Sequence, residues 1–389
     1  MPVNYLSLQE QVKKYGESAA GQKLDFEQKF KTCLSLFKEH AGDLINLQRM
    51  VEEAAAKNKG LRCAVPVSEP LNTHIPAPRS PSGCTIIAAD GSQINPDPHG
   101  EVLFALVNVG LFTIHPGSHA APRTETRSTL LYDDALYTPN GLVSEDLIAL
   151  LRDVREREIL AEVTRELTPP VITLTDGPLE LYHEPRQEKM FEIQFQRYLK
   201  ALDELSLNEV ITAGYVDRPR ADMVVRLLEL LVPTGDPSTD RSSTRPFNGI
   251  PDRALFETIL QPGERSAVFA LQSSSAHSYE GRKALHFFYL NSGIENHPAL
   301  ARVEIPAWVA QDSSSLSTLH AVLVEQSRQA GAEPYPYQLL RAHEVAVVKM
   351  DDRDQVIRMI ERELIARGFP PSSQSFKQIN KGFQDRKGI

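Results

Sequence analysis

The chain has 389 residues, is 41% apolar and carries a formal net charge of −9. That size suits one large domain with appendages around a buried core. The negative balance excludes a non-specific, charge-driven coat on nucleic acid, but not an enzyme that acts on it, because such sites gather carboxylates around metal ions. No apolar run approaches the ~18 residues of a membrane span. The start, MPVNYLSLQEQVKKYGES, has no apolar signal core. Cys33, Cys63 and Cys84 fit neither a zinc knuckle nor a disulfide framework. A cytoplasmic, reducing compartment is expected, without a membrane partner.

Residues 1–60 read as a helical region. Phe26, Phe30, Cys33, Leu34, Phe37, Ala41, Leu44, Ile45 and Leu47 recur at helical spacing, and Gly60 is a stop. An aromatic stripe of this kind must be covered by the chain's own core, a second subunit or a partner. Residues 61–82 are proline-rich and aperiodic, and read as a linker or wrapped arm. Strands are expected from Thr85, over 101–117 (bent or split at Gly110) and over 123–133. A helix over 144–168, N-capped by Ser144, leads to a strand in 169–181. A helix at 185–204, a strand at 208–216 and a helix at 221–231 follow. Residues 233–252 read as a long polar loop. Further strands are expected in SAVFAL, ALHFFYL and ALARVEIPAWV, then helices at 313–330 and 352–368. VAVVKM reads as a strand, and 371–389 as a polar, basic tail. An antiparallel meander, a helical crossover and a return parallel to the first strand make an α/β layered domain over 83–370.

Two of these strands end alike, in IIAADGS and VITLTDGP. An Asp-Gly after a strand is most often a turn. If both strands are central and parallel, however, Asp90 and Asp176 emerge at one sheet edge, where ligand sites of open α/β sheets cluster. Adjacent carboxylates repel unless a hard cation such as Mg²⁺ or Mn²⁺ lies between them. On the helix between the strands, Leu147, Leu151 and Val154 define an apolar stripe that Glu158 continues and from which Glu156 points away. Glu158 then either meets a metal, or is solvated at the helix rim, or pairs with Arg155 or Arg165. Tyr335 and His343 flank a short helical stretch. Arg218 and Arg220 are candidate phosphate contacts.

In this order AADGSQ, the acidic helix, TDGPL, AGYVDRP and YPYQLLRAH resemble the NurA nuclease family over roughly 84–350. The resemblance implies an RNase H-like mixed sheet flanked by helices, here with an N-terminal helical extension. It implies Mn²⁺-dependent phosphodiester hydrolysis (Mg²⁺ as a substitute) on DNA ends, 5′-to-3′ and on single strands. It also implies a homodimer docked on a HerA-like hexameric ATPase in end resection. The implied site is Asp90, a helix Glu taken as Glu158, Asp176, Tyr335 and His343, with Asp90, Glu158, Asp176 and His343 as metal ligands. Pro178 stands where a small residue such as Ser is common. A degenerate adaptor for a motor ATPase and a metal-dependent phosphatase are the alternatives. All five site types are present, against the first, and no glycine-rich phosphate cradle is found, against the second.

Overall fold

A computed structural model of the chain describes residues 4–81, 83–100, 102–181, 188–233, 241–295, 297–331 and 334–368. The tail read at 371–389, part of the loop read at 233–252 and the first residues of the helix read at 185–204 lie outside the described residues. The chain divides into two units, Met1–Arg79 with Tyr215–Pro334, and Ser80–Gly214 with Tyr335–Ile389.

The first unit begins with α1 (Tyr5–Glu39) and α2 (Leu44–Lys57). The aromatic stripe is covered in part. Cys33 and Phe37 are buried in the unit's own core, where the Phe37 ring meets Phe256 edge-on at 5.9 Å. Phe26 and the preceding turns, with Tyr5, Val12 and Tyr15, are exposed. The proline-rich stretch 61–82 holds two short strands, β1 (Cys63–Pro66) and β2 (His74–Pro76). The unit also contains the helices α5 (Met223–Glu229), α6 (Asp252–Phe256), α7 (Ala307–Ala310) and α8 (Ser313–Gln329). Its remaining strands are β10 (Glu264–Ser266), β11 (Phe269–Gln272), β12 (Leu285–Asn291) and β13 (Leu300–Pro306). β1, β11, β12 and β13 pair in that order, antiparallel, and β10 bridges β2 and β12.

The second unit is built on β3 (Thr85–Ile94), β4 (Ala105–Ile114), β5 (Arg123–Leu131) and β8 (Val171–Asp176). A small hairpin, β6 (Tyr137–Thr138) and β7 (Gly141–Leu142), lies between β5 and the crossover helix α3 (Glu145–Thr164). Ser144 caps α3, its hydroxyl accepting the Leu147 N–H at 3.1 Å. After β8 come α4 (Glu188–Leu207) and β9 (Ile211–Asp217), within which the unit boundary falls. The C-terminal segment returns as α9 (Tyr337–Ala346) and α10 (Met350–Ala366). The order β9-β8-β3-β4-β5 contains the expected meander and crossover: β3 to β5 are antiparallel, and β8 runs parallel to β3. Ile86 and Ile87 on β3 and Ile172 and Leu174 on β8 are buried. Each such side chain contributes roughly 1.5–3 kcal/mol to holding the central strands together.

Three local expectations are corrected. β4 runs unbroken through Gly110, with every residue from Ala105 to Thr113 paired to β5. VAVVKM is not a strand: Val345 and Ala346 end α9, and Met350 starts α10. A short apolar run has no period that separates a strand from a buried helix end. Lastly, β3 does not end at Asp90. Its parallel ladder with β8 stops at Ala89↔Thr175, but its antiparallel ladder with β4 continues to Ile94↔Leu106.

Candidate active site

Asp90 therefore lies inside a strand at the point where one neighbour leaves. β8 ends one residue later, so the register puts Asp176 level with Asp90 on the adjacent parallel strand. The two Asp-Gly pairs are built differently. Gly177 has φ +85°, as a turn demands, whereas Gly91 is an extended strand residue whose role is closeness. A Cβ on Gly91 would sit 2.4 Å from Arg152 Cγ and 2.5 Å from Glu156 Oε1, so glycine leaves room for these two side chains of α3 where they lie.

Gly110, directly opposite Asp90, does the same for α9. A Cβ there would lie 2.5 Å from the Ala346 nitrogen and 2.8 Å from the Ala342 oxygen. The C-terminal turn of α9 is pinned by side chains of the sheet. The Ala346 carbonyl accepts from the Ser92 hydroxyl at 2.5 Å and from the Asn108 amide at 2.7 Å. Asn108 is held in turn by the Ser128 hydroxyl at 2.7 Å. A helix-end carbonyl that lacks an intrahelical partner is thus satisfied from β3 and β4. The pinned helix carries His343, whose Nδ1 lies 2.7 Å from Asp90 Oδ2. A carboxylate can only accept, so Nδ1 of this exposed ring is the donor to Asp90.

The helix glutamate beside Asp90 is Glu156, not Glu158. Glu156 is only 6% exposed, among the residues that α3 buries. Burial raises its carboxyl well above the ordinary 4.5, and the negative charges of Asp153 and Asp90 push the same way, while Arg152 and Arg157 oppose them. Glu158 is taken up elsewhere. Arg197 of α4 grips it with two bonds of 2.8 Å, and Arg155 lies 3.3 Å away. That is the ion-paired alternative, with Arg155 as expected and with Arg197, not Arg165, as the second partner. The inward stripe was misjudged because α3 is buried on more than one side, with Ile148, Leu150, Ile159 and Leu160 all covered.

Arg157, 2% exposed, was not singled out from the sequence. Its Nη2 donates to the Thr175 hydroxyl at 2.7 Å, just ahead of Asp176, and its guanidinium lies 5.7 Å over the Tyr198 ring. Its Nε and Nη1 have no partner among the described residues. The signal was available: a second charged residue next to Glu156 on a helix that packs against a sheet. Tyr335 is half-buried two residues before α9. Arg218 and Arg220 follow β9 in the other unit and are exposed; Arg218 has φ +44°.

Among the described residues no three His, Cys, Asp or Glu side chains are drawn together closely enough to hold an ion. The donor set nevertheless fits a hard divalent cation in kind. Asp90 and Glu156 offer carboxylate oxygens, and the Glu156 carboxyl, raised first by burial and then by the charges of Asp153 and Asp90, is one whose ionised form such a cation would stabilise.

A model of the NurA domain matches residues 84–348. The NurA nuclease structure from Sulfolobus solfataricus superposes with a TM-score of 0.51 at 13% identity, covering 84% of this chain and 96% of that one. A second NurA structure gives a TM-score of 0.38 at 11% identity, covering 81% and 95%. The catalytic domain of human Endonuclease V gives 0.33 at 13% identity, covering 81% and 97%. No curated protein matches the chain. The Sulfolobus match shows a shared fold, here a mixed sheet flanked by helices, and the domain match shows the family. The chain belongs to the NurA family of nucleases.

Proposed function

We propose that the chain hydrolyses DNA phosphodiester bonds at a divalent-metal site held by Asp90, Glu156 and Asp176, with His343 and Tyr335 completing it. What carries this is one contact: the His343–Asp90 bond of 2.7 Å, beside a buried glutamate and level with a second strand-end aspartate. The bound cation would be Mn²⁺, with Mg²⁺ as a substitute, and would supply neutralisation of the phosphate charge and an activated water. Asp90, Glu156 and Asp176 present oxygens to bind it. His343 orients Asp90 through Nδ1 and exchanges a proton at Nε2, or joins the ligands through that atom. Tyr335 positions the phosphate or the attacking water.

The proposed substrates are DNA ends and single strands, cut 5′-to-3′ as a homodimer docked on a HerA-like hexameric ATPase in end resection. A chain of net charge −9 gains little from DNA electrostatics, so a translocating partner that delivers the strand is useful. The exposed apolar side chains of α1 are available to such an assembly. A cytoplasmic setting agrees with three buried free thiols. No helix among the described residues is long and apolar enough to cross a membrane. The test is cleavage of end-labelled single- and double-stranded DNA with Mn²⁺ beside a phosphatase substrate, with and without the ring ATPase. Ring binding without cleavage would instead identify an adaptor.

A further inference from the structure

A hollow of about 510 Å³ opens where β3 ends, within the size range of small-ligand sites. It shares two elements with the candidate site. Ile94, in its wall, is four residues along β3 from Asp90, about 13 Å at the rise of a strand. Lys349, also in its wall, is six residues beyond His343, across the link from α9 to α10. Ser92 ties the two together, its hydroxyl bonding the Ala346 carbonyl and accepting the Val348 N–H at 3.2 Å.

The lining is basic, apolar and amide in turn, with the carboxylates of Asp97 and Glu145 and two prolines completing it. Lys349 and Arg353 bring an ammonium and a guanidinium; Arg353 Nη2 is only loosely engaged, 3.5 Å from Asp97 Oδ2. Ile94 and Met350 are apolar, and Met350 is 66% exposed. Gln93 and Asn95 add side-chain amides, the groups that pair with base edges; here the Gln93 amide nitrogen donates to Asn95 Oδ1 at 2.9 Å, a bond that a base edge would have to replace. Gln93 Oε1 and Arg353 Nε are buried without a partner among the described residues. Leaving such atoms unpartnered is unfavourable, and a polar ligand that draws them outward would offset that. A cation for phosphate, an apolar surface for a base face and amides for a base edge are together the chemistry of a nucleotide.

We propose that this hollow is a nucleotide subsite for the strand being cut. Lys349 and Arg353 take a phosphate there, and Met350 takes the base. At the ~3.4 Å repeat of a stacked strand, it lies about four nucleotides from the phosphate held at Asp90. The proposal rests on the nuclease site described above.

The test is the double variant Lys349→Glu/Met350→Glu. Both residues are exposed, and acidic groups at the start of α10 are favoured by the helix dipole, so the fold is kept. Arg362→Glu, an exposed charge reversal further along α10, is the control. Binding of a fluorescein-labelled oligothymidylate, long enough to span both sites, is read by anisotropy in Ca²⁺ without Mn²⁺. Hydrolysis of bis(p-nitrophenyl) phosphate in Mn²⁺ is read in parallel. The expected result is an oligonucleotide Kd raised roughly tenfold in the double variant, with a salt slope smaller by about 1. The control should change little, and neither a dinucleotide's Kd nor the small diester's rate should move. Oligonucleotide binding no weaker than the control's, or an equal loss with the dinucleotide, overturns the subsite. Failure of the wild type to hydrolyse the small diester would count against the catalytic site, while the binding comparison would still decide the subsite.

Discussion

Replacing Glu156 with glutamine should make the metal-free protein more stable at neutral pH. Glu156 is 6% exposed, and its carboxyl is raised first by burial and then by the charges of Asp153 and Asp90. A folded-state pKa above the ordinary 4.5 means that the fold favours the protonated form. The stability contributed by this group is therefore full below 4.5 and is lost as pH rises through the folded pKa. Glutamine keeps the shape and cannot ionise, so its advantage is absent at low pH and grows toward neutrality. An ionised group left poorly compensated at such a position costs on the order of 1–3 kcal/mol. At about 2–4 °C per kcal/mol for a unit of this size, the melting temperature in EDTA at pH 7.5 should rise by several degrees. Added Mn²⁺ should reverse the ranking, because a ligand held at a hundred times its Kd adds about 2.7 kcal/mol to the protein that binds it. The assay is thermal unfolding of both proteins at pH 4.5 and 7.5, with EDTA and with Mn²⁺. A Glu156→Gln protein less stable than wild type in EDTA at pH 7.5 would refute the reasoning, as would an equal advantage at both pH values.

Glu156→Gln should lower DNA cleavage by at least roughly a hundredfold, the upper range for losing a residue that supports a metal's ligands, whereas Glu158→Gln should stay within a few fold. Initial rates in limiting Mn²⁺ separate the two, and the opposite ranking would return the role to Glu158. Gly110→Ala should cost about 1–3 kcal/mol, because its Cβ would meet backbone atoms of α9 that cannot rotate away. It should also lower kcat by displacing His343; urea unfolding and steady-state kinetics check both, and a variant of unchanged stability would show that α9 does not sit against β4. Arg157→Met should lower activity more than Thr175→Val, which removes only the hydroxyl partner. Equal losses would confine Arg157 to its bond with Thr175.

The pairing of β3 with β8 was legible because each holds an apolar run that reaches an Asp-Gly, and because a helix without glycine or proline follows the three-strand meander and leads into β8. That arrangement favours a crossover and a parallel return. Asp90 itself was misplaced by a few residues in strand terms, since Gly91 looked like a terminator and is instead a close-approach residue within the ladder to β4. Taking Glu158 rather than Glu156 as the inward glutamate failed for a different reason. A stripe drawn through Leu147, Leu151 and Val154 assumes one buried face, and α3 also buries Leu150, Glu156 and Arg157. The Ser92, Asn108 and Ser128 links that pin α9 join residues up to 254 positions apart, and no local pattern announces them. The strands in 61–82 escaped notice for the same reason. β1 is recruited by β11 and β2 by β10, and neither run has a period of its own.

The most direct test of the proposed chemistry is cleavage of end-labelled single-stranded DNA in Mn²⁺ by the wild type and by Asp90→Asn, each shown to be folded by circular dichroism. The asparagine keeps a side chain of the same shape beside His343 but removes the charge that binds a cation. The wild type should degrade the strand, and the variant should leave it intact at any Mn²⁺ concentration. Cleavage by Asp90→Asn at the wild-type rate in limiting Mn²⁺ would contradict the metal site at the level of Asp90 and Asp176, and with it the proposed chemistry.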